Sequence, residues 1–306
     1  MMSTYDKLSR LGKIVSLIKN NEGISQAEIM KGLYPDVDSN PKSKRTLERD
    51  LAAIRNELFI AIDYDSSLHG YKIDDSTLKE TYEFLKLVEF ANVGQLLQDG
   101  KIDLRKFSDI VELDNSSIFK GIDLVKTLIT AIQQRQKITF KHINYWENTE
   151  KEYTVSPLKI KEYLNRWYLI GVPDKTSEIR TFGIDRLKDL DTAGASRIKY
   201  KDYEDQLNRF HNIIGLNFNE GNGKTKFIKL KVYHKHLKYL QSLPLHHSQK
   251  IEWQKGQEYG IVTYRIIPNY EFKIQILKMH CFAEVLEPKE LREEIKSMLQ
   301  EALDQY

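Results

Sequence analysis

The chain has 306 residues, of which 41% are hydrophobic and 30% are charged, and its net charge is only +3. This length allows two or three domains, and the composition excludes a disordered or collagen-like chain. A single cysteine, Cys281, excludes an intrachain disulfide, and the absence of a secretion signal or a long apolar run leads us to expect a cytoplasmic protein.

The chain opens with an amphipathic helix, followed by a second and shorter one. Apolar residues recur at helical spacing along the first: Leu8, Leu11, Ile14, Val15 and Ile18. The Asn21–Gly23 segment then breaks the pattern. Ser25 is a suitable N-cap for the second helix, because Glu28 stands at the position that completes a capping box.

A third helix is predicted over residues 43–58. Its inner stripe repeats at spacings of four, three and four: Leu47, Leu51, Ile54 and Leu58. Two alternating segments follow at 59–64 and 70–73, joined by a polar turn, and are predicted to form a hairpin. Three helices and a hairpin indicate that residues 1–75 form a winged helix-turn-helix DNA-binding domain.

The outer face of the third helix carries the main indication of DNA binding. Arg45, Arg49 and Asn56 lie opposite the apolar stripe, as donors that read base edges and phosphates in a recognition helix do. The helix start favours phosphate contacts, and the turn at 66–69 is a candidate wing tip. The predicted DNA-binding residues are Lys42, Ser43, Lys44, Arg45, Thr46, Arg49, Asn56 and His69.

A solvated, salt-bridged surface helix is the alternative interpretation. Glu48 and Asp50 are spaced to pair with Arg45, Arg49 or Lys44 on the same helix. In addition, the stretch from 34 to 42 is longer than the usual connection between the two motif helices. The hairpin that follows favours the DNA-binding interpretation.

The rest of the chain divides into three segments. Residues 76–135 are predicted to be mostly helical, at 78–97 and 122–134, and to serve as a linker or dimerisation segment. Residues 136–205 contain closely spaced strands at 138–145, 152–160, 167–172 and 178–183, which favour a small antiparallel barrel. Residues 215–306 alternate strands and helices, as in a ferredoxin-like α+β domain. The predicted fold class is therefore multidomain α+β.

Motifs along the chain resemble those of WYL-domain transcriptional regulators. The string from Ser43 to Leu51, SKRTLERDL, is similar to the pattern S-x-R-T-[IL]-x-R-D-L of that family. The family tripeptide stands at Trp167–Leu169, and Arg180–Leu187, RTFGIDRL, resembles the segment R-x-F-x-x-D-R-[IL]. The stretch from Glu284 to Leu291 is similar to the C-terminal extension that follows WYL domains.

This resemblance implies an architecture and a mode of action. It implies a winged helix-turn-helix, an Sm-like β-barrel over about 126–200 and a ferredoxin-like extension. It also implies homodimers that bind double-stranded operator DNA, with a pocket in the WYL domain that senses a nucleotide or single-stranded nucleic-acid effector.

Cationic and aromatic side chains near the tripeptide are candidate effector ligands, because guanidinium groups bind phosphates and flat rings stack on bases. They are His142, Tyr145, Arg166, Tyr168, Arg180 and Arg186. Strand alternation places Trp167 on the other face from Arg166 and Tyr168, so we expect Trp167 to be in the core. Alternatively, Arg186 pairs with Asp185 or Asp189.

Enzyme activity is not expected. The string Gly221–Thr225, GNGKT, resembles the end of a phosphate-binding loop, but the required first glycine falls at Phe218 and a strand follows. No metal-ligand spacing or catalytic constellation stands out, so we expect no metal and no cofactor. The sequence predicts a dimeric, effector-controlled transcription regulator; the alternative is an accessory single-stranded nucleic-acid sensor without operator-specific regulation.

Overall fold

The computed structural model describes residues 4–34, 44–98, 122–144, 149–254 and 256–306. The chain forms two compact units, 1–113 and 114–306, and combines helices with three antiparallel sheets. The α+β class predicted from the sequence is confirmed. Across these ranges, no helix has both the length and the apolar character needed to cross a membrane.

The described part of the first unit contains four helices and a hairpin. Its elements are α1 (Thr4–Asn20), α2 (Gln26–Leu33), α3 (Lys44–Glu57), β1 (Ile62–Asp65), β2 (Gly70–Ile73) and α4 (Leu78–Gln98). The predicted capping box starts α2: the Ser25 backbone N–H donates to Glu28 Oε2 at 2.8 Å, and the Glu28 N–H donates to Ser25 Oγ at 3.3 Å. This reciprocal pair satisfies donors that the helix start leaves unpaired.

One core holds the first unit together. The stripes of α1 and α3 are buried with Phe84 and Val88 of α4, so α4 packs within this unit. The hairpin pairs with the connection between α1 and α2, where Ile24 bridges Tyr71. A Cβ at Gly70 would lie 1.9 Å from the Gly23 carbonyl oxygen, so this close approach requires glycine.

The second unit begins with a helix on a five-stranded sheet. Its elements are α5 (Ile122–Gln133), β3 (Gln136–Asn144), β4 (Thr149–Tyr163), β5 (Arg166–Pro173), β6 (Arg180–Gly183) and β7 (Leu187–Ala195). All neighbouring strands are antiparallel, in the order β6-β5-β4-β3-β7. Leu128 of α5 is fully buried against this sheet. Strand β7 was not predicted from the sequence, because its residues are mostly polar and only pairing with β3 makes it a strand.

A four-stranded sheet with three helices completes the chain. After α6 (Glu204–Arg209) come β8 (Lys226–Tyr233), α7 (His234–Ser242), β9 (Lys250–Glu252), β10 (Tyr259–Ile266), α8 (Tyr270–Leu277), β11 (Ala283–Glu287) and α9 (Lys289–Leu303). The strand order is β11-β8-β10-β9. Alternate residues of β8 and β10 are buried with apolar residues of α7, α8 and α9, so the three helices cover one face of this sheet.

A histidine pair ties this last part to the segment after α6. His246 is buried, and its Nε2 lies 2.7 Å from the carbonyl oxygen of His211. The His247 Nε2 lies 2.9 Å from the same oxygen. Burial is the main cause that lowers the pKa of His246 to about 4, and the neighbouring His247 contributes.

We expect the His246 site to make the second unit sensitive to acid. Because the folded pKa lies below the ordinary value of 6.5, its stabilisation is complete above about pH 6.5 and is lost as the pH falls towards 4. His246→Gln should remove on the order of 2–3 kcal/mol of that pH dependence. Urea unfolding followed by tryptophan fluorescence measures it, since all three tryptophans lie within 114–306. The exposed His234, changed to Gln, is the control; equal pH dependence in both variants would contradict the assignment.

Candidate nucleic-acid interface and effector site

The outer face of α3 is exposed where the sequence predicts DNA contacts. Lys44, Arg45, Arg49 and Asn56 are exposed and Thr46 is half-buried, whereas the side chains that alternate with them are buried: Leu47, Leu51 and Ile54. Predicted contacts Lys42 and Ser43 lie outside the described residues, as does most of the connection between α2 and α3. The helix therefore presents two arginines and an amide to solvent from one rigid surface.

A groove of about 520 Å³ between α1 and α3 contains the ion pairs that orient this face. The Arg10 Nε donates to Asp50 Oδ2 at 2.7 Å, and its Nη2 donates to Oδ1 at 2.9 Å. Asp50 is buried by this fork, so its suggested pairing with Arg45, Arg49 or Lys44 was wrong. The reason is that Asp50 lies on the inner side of α3, facing α1.

Arg55, near the end of α3, binds the hairpin. Its Nε donates to the backbone carbonyl oxygen of Ile62 at 2.7 Å. This bond fixes the end of α3 to β1. Arg55 therefore positions the hairpin relative to α3.

The hairpin tip is organised around Asp65. Its carboxylate accepts from the Ser67 N–H at 2.8 Å and from Lys72 Nζ at 2.6 Å. The bond from Lys72 is the main cause that lowers the pKa of Asp65, and the same bond raises the pKa of Lys72. His69 is exposed beside this turn, with a φ of 53°. The tip is thus a small, rigid turn that presents His69 to solvent.

Four of the six predicted effector ligands come together with Asp185 in the second unit. Tyr168 pairs directly with Gly183 across β5 and β6, and a Cβ at Gly183 would lie 2.7 Å from the Arg186 Nε. The Arg186 guanidinium therefore rests on the glycine backbone. The neighbouring Asp185 Oδ2 lies 3.8 Å from Arg166 Nη1. We name the group of His142, Arg166, Tyr168, Asp185 and Arg186 the Arg186 cluster.

Burial and neighbouring charges shift the pKa values of His142 and Tyr168 in the Arg186 cluster. Burial is the main cause that lowers the pKa of His142, and the charge of Arg186 acts in the same direction. Burial likewise raises the pKa of Tyr168. At neutral pH the cluster therefore has a neutral imidazole and a neutral phenol beside two guanidinium groups. The Nε2 of His142 is buried, and no described residue forms a hydrogen bond with it.

Arg180 is not part of this cluster. It pairs with Gly171, three residues along β5 from Tyr168, and strand alternation places it on the opposite face from Gly183. Tyr145 lies outside the described residues. Trp167 packs against the core of the five-stranded sheet, as the alternation predicted.

Two side chains in or near the Arg186 cluster were not predicted from the sequence as ligands or neighbours of the effector site. Tyr153 of β4 packs edge-on against Phe182 at 5.1 Å between ring centroids and lies 6.3 Å from the His142 ring. Asp185 was considered only as a partner of Arg186, but the structure also sets it against Arg166. The other partner considered for Arg186, Asp189, binds Lys141 at 2.8 Å instead. No local sequence signal could have placed Tyr153, because its position opposite Phe140 depends on strand register.

Two protein-family models match within the second unit. Residues 123–192 match the WYL domain, and residues 225–303 match the WCX domain. The chain therefore contains a match to the WYL domain followed by a match to the WCX domain. The WYL match begins within α5, includes β3 to β6 and most of β7, and contains the Arg186 cluster. The WCX match takes in the four-stranded sheet with its helices.

Solved structures add only weak similarity. Proteasome accessory factor B/C (PafBC) of Arthrobacter aurescens has 16% identity and a TM-score of 0.28, over 97% of this chain and 47% of that protein. A CRISPR Cas-related protein has 14% identity and a TM-score of 0.38, over 100% of this chain and 87% of that one. This chain thus spans about half the length of PafBC. A comparison with curated protein sequences gave no match.

Proposed function

We propose that this WYL-domain protein is a sequence-specific, DNA-binding transcription regulator of the cytoplasm. One observation carries the proposal: α3 buries its leucines and exposes Arg45, Arg49 and Asn56 on one face. A recognition helix requires this division, because its inner side docks on the domain while its outer side enters the major groove. In this proposal, the first three helices and the hairpin form a winged helix-turn-helix.

A homodimer fits this proposal. Two copies of a recognition helix read two half-sites whose centres lie about 34–36 Å apart, one turn of DNA, and their symmetry gives the operator an inverted repeat. A change in the orientation of the two copies would alter that spacing and hence the affinity. Such coupling is how an effector bound at the WYL domain would control DNA binding.

Selection of bound fragments from random duplex DNA tests the DNA-binding proposal. We expect the selected fragments to share an inverted repeat, and the purified chain to bind it at least about 10³-fold more tightly than unrelated duplex. Light scattering of the complex should give two protein chains per site. Selected fragments without a common sequence would contradict operator-specific regulation.

The Arg186 cluster supports a nucleotide-like or nucleic-acid effector. Guanidinium groups form forked hydrogen bonds with phosphate oxygens, and a tyrosine ring offers a stacking surface to a base. Arg186 and Arg166 supply the first function and Tyr168 the second. His142, held neutral, offers one ring nitrogen as a hydrogen-bond acceptor.

We expect Arg186→Ala to abolish the thermal stabilisation that an effector gives. A ligand at 100 times its Kd stabilises the folded protein by about 2.7 kcal/mol, and loss of the main phosphate ligand would remove most of this. The measurement is the shift in Tm with a panel of nucleotides and short single strands. Arg197→Ala, which removes an exposed arginine near the end of the WYL domain, is the control. Equal shifts in both variants would place the effector elsewhere.

Arg180→Ala defines the extent of this site. Because Arg180 lies apart from the Arg186 cluster, its replacement should retain most of the Tm shift unless the effector extends over the edge of β6.

The second candidate function, an accessory single-strand sensor, predicts instead that duplex binding is weak and independent of sequence. Salt titrations with duplex and single-stranded DNA separate the two functions. Under either function we expect no turnover of nucleotides.

A further inference from the structure

The WCX sheet has one face that its own helices leave uncovered. Helices α7, α8 and α9 all pack on the opposite face. On the uncovered face, Phe227 is 52% exposed and Tyr259 is 44% exposed. Its residues on the two central strands are Phe227, Lys229, Lys231, Tyr233, Tyr259, Ile261, Thr263 and Arg265. We name this surface the open face.

Aromatic rings lie at both ends of the open face, and two lysines of β8 lie between them. Tyr233 and Tyr259 stand opposite each other, with ring centroids 6.4 Å apart, at one end of the strand pair. The Lys231 Nζ lies 4.4 Å from the Tyr259 centroid and 5.3 Å from that of Tyr233. Phe227 and Arg265 stand opposite each other at the other end, about 20 Å away along the strand.

The cations of the open face are available for a ligand. In the part of the chain that the structure describes, Lys229, Lys231 and Arg265 form no ion pair with a carboxylate. The acidic residues in register with the face lie on the outer strands: Glu252, Glu284 and Glu287. Glu284 is already bound by Arg292 at 2.8 Å. Glu284 and Glu287 of β11 stand directly opposite Lys231 and Lys229, so the positive charge of this face is confined to the two central strands.

We propose that the open face binds single-stranded nucleic acid. A single strand carries both kinds of group that this face can bind. Its bases can stack on Phe227, Tyr233 and Tyr259, and its phosphates can neutralise the lysines and the arginine. A second protein copy fits this surface less well, because lysine is depleted from the centres of protein interfaces. The site consists of residues other than those of α3 and the Arg186 cluster, and it does not depend on operator binding.

Fluorescence anisotropy with the full chain tests this site. The probes are labelled oligothymidylate and oligouridylate of about 12 nucleotides, which distinguish DNA from RNA, and a duplex of the same length. We expect Tyr233→Ala and Tyr259→Ala each to weaken single-strand binding roughly tenfold, because a stacking surface is lost. Tyr259→Phe should bind as tightly as the original protein, since the ring remains. Tyr239→Ala, which removes an exposed tyrosine on α7, should have no effect.

The salt dependence gives an independent readout. Replacing Lys231 with Gln should lower the slope of log K against log salt by about 0.7, the value for one phosphate contact on a single strand. The matched charge control is Lys235→Gln, an exposed lysine of α7. An unchanged slope in the Lys231 variant would overturn the proposal.

Three further outcomes would also overturn it. The first is no binding of either single strand at low salt. The second is single-strand binding that Arg186→Ala abolishes but the tyrosine variants leave intact, which would place the strand in the WYL domain. The third is a change of oligomeric state in the tyrosine variants with unchanged strand binding, which would make the open face an interface between copies. Operator binding should remain intact in every tyrosine variant, so this test is distinct from that of the proposed function.

Discussion

Replacing Asp50 with Ala should lower the free energy of unfolding of the first unit by about 3–5 kcal/mol. The side chain of Asp50 is 3% exposed and that of Arg10 is 10% exposed, and two hydrogen bonds join them. Removal of the carboxylate takes from the part-buried Arg10 guanidinium both the hydrogen bonds and the negative charge that Asp50 supplies. The cost therefore includes a less compensated buried charge as well as the loss of a contact.

The structure provides a matched control for this prediction. Lys7 and Glu57 form a second ion pair in the same groove between α1 and α3, but their side chains are 43% and 61% exposed. Glu57→Ala should therefore cost less than about 1 kcal/mol. Hydrogen exchange of α1 and α3 in increasing urea is a suitable measurement, because residues 1–113 contain no tryptophan. Similar costs for the two variants would show that burial does not determine the contribution of this pair.

Replacing Arg49 with Ala should weaken specific DNA binding by about 1–3 kcal/mol, roughly 5- to 150-fold. Arg49 is exposed on the outer face of α3, one turn beyond Arg45, where its planar fork can reach a guanine edge in the major groove. Because Arg49 is exposed, its removal should leave stability nearly unchanged. Anisotropy with the selected operator measures the loss.

Two further variants identify what Arg49 contributes. Arg49→Lys retains the charge but loses the planar fork. Compared with Arg49→Ala, it should therefore bind unrelated duplex more tightly but discriminate the operator little better. Lys13→Ala removes an exposed cation from α1 and should change operator affinity only slightly. If Arg49→Ala weakened operator and unrelated duplex to the same extent, Arg49 would be a phosphate contact that carries no sequence information.

Local signals allowed much of the fold to be predicted. The periodicity over 43–58 placed α3 within one residue at each end, and β2 has the predicted bounds. The capping box at Ser25 was also readable, since both partners lie within four residues. In contrast, the first hairpin strand begins at Ile62 and not at residue 59, because Phe59 has a φ of 55° and cannot continue a strand.

The candidate sites were predictable by residue type but only partly by arrangement. The motif strings contained Tyr168 and Arg186, which the structure brings together. They also contained Arg180, which the structure places on the other face of β6. Neighbours in sequence share a strand, but which of them meet across a sheet depends on register, and no local pattern gives that.

The sequence alone determined the helices, their inner stripes and the presence of arginines on the outer side of α3, because helical spacing fixes which side chains share a face. Only the tertiary structure decided that Asp50 turns inward to Arg10, 40 residues away, and leaves Arg49 exposed. It also decided that Tyr168 of β5 lies opposite Gly183, where the Arg186 guanidinium rests. Both outcomes depend on which distant segments meet, and this is fixed only when the chain folds.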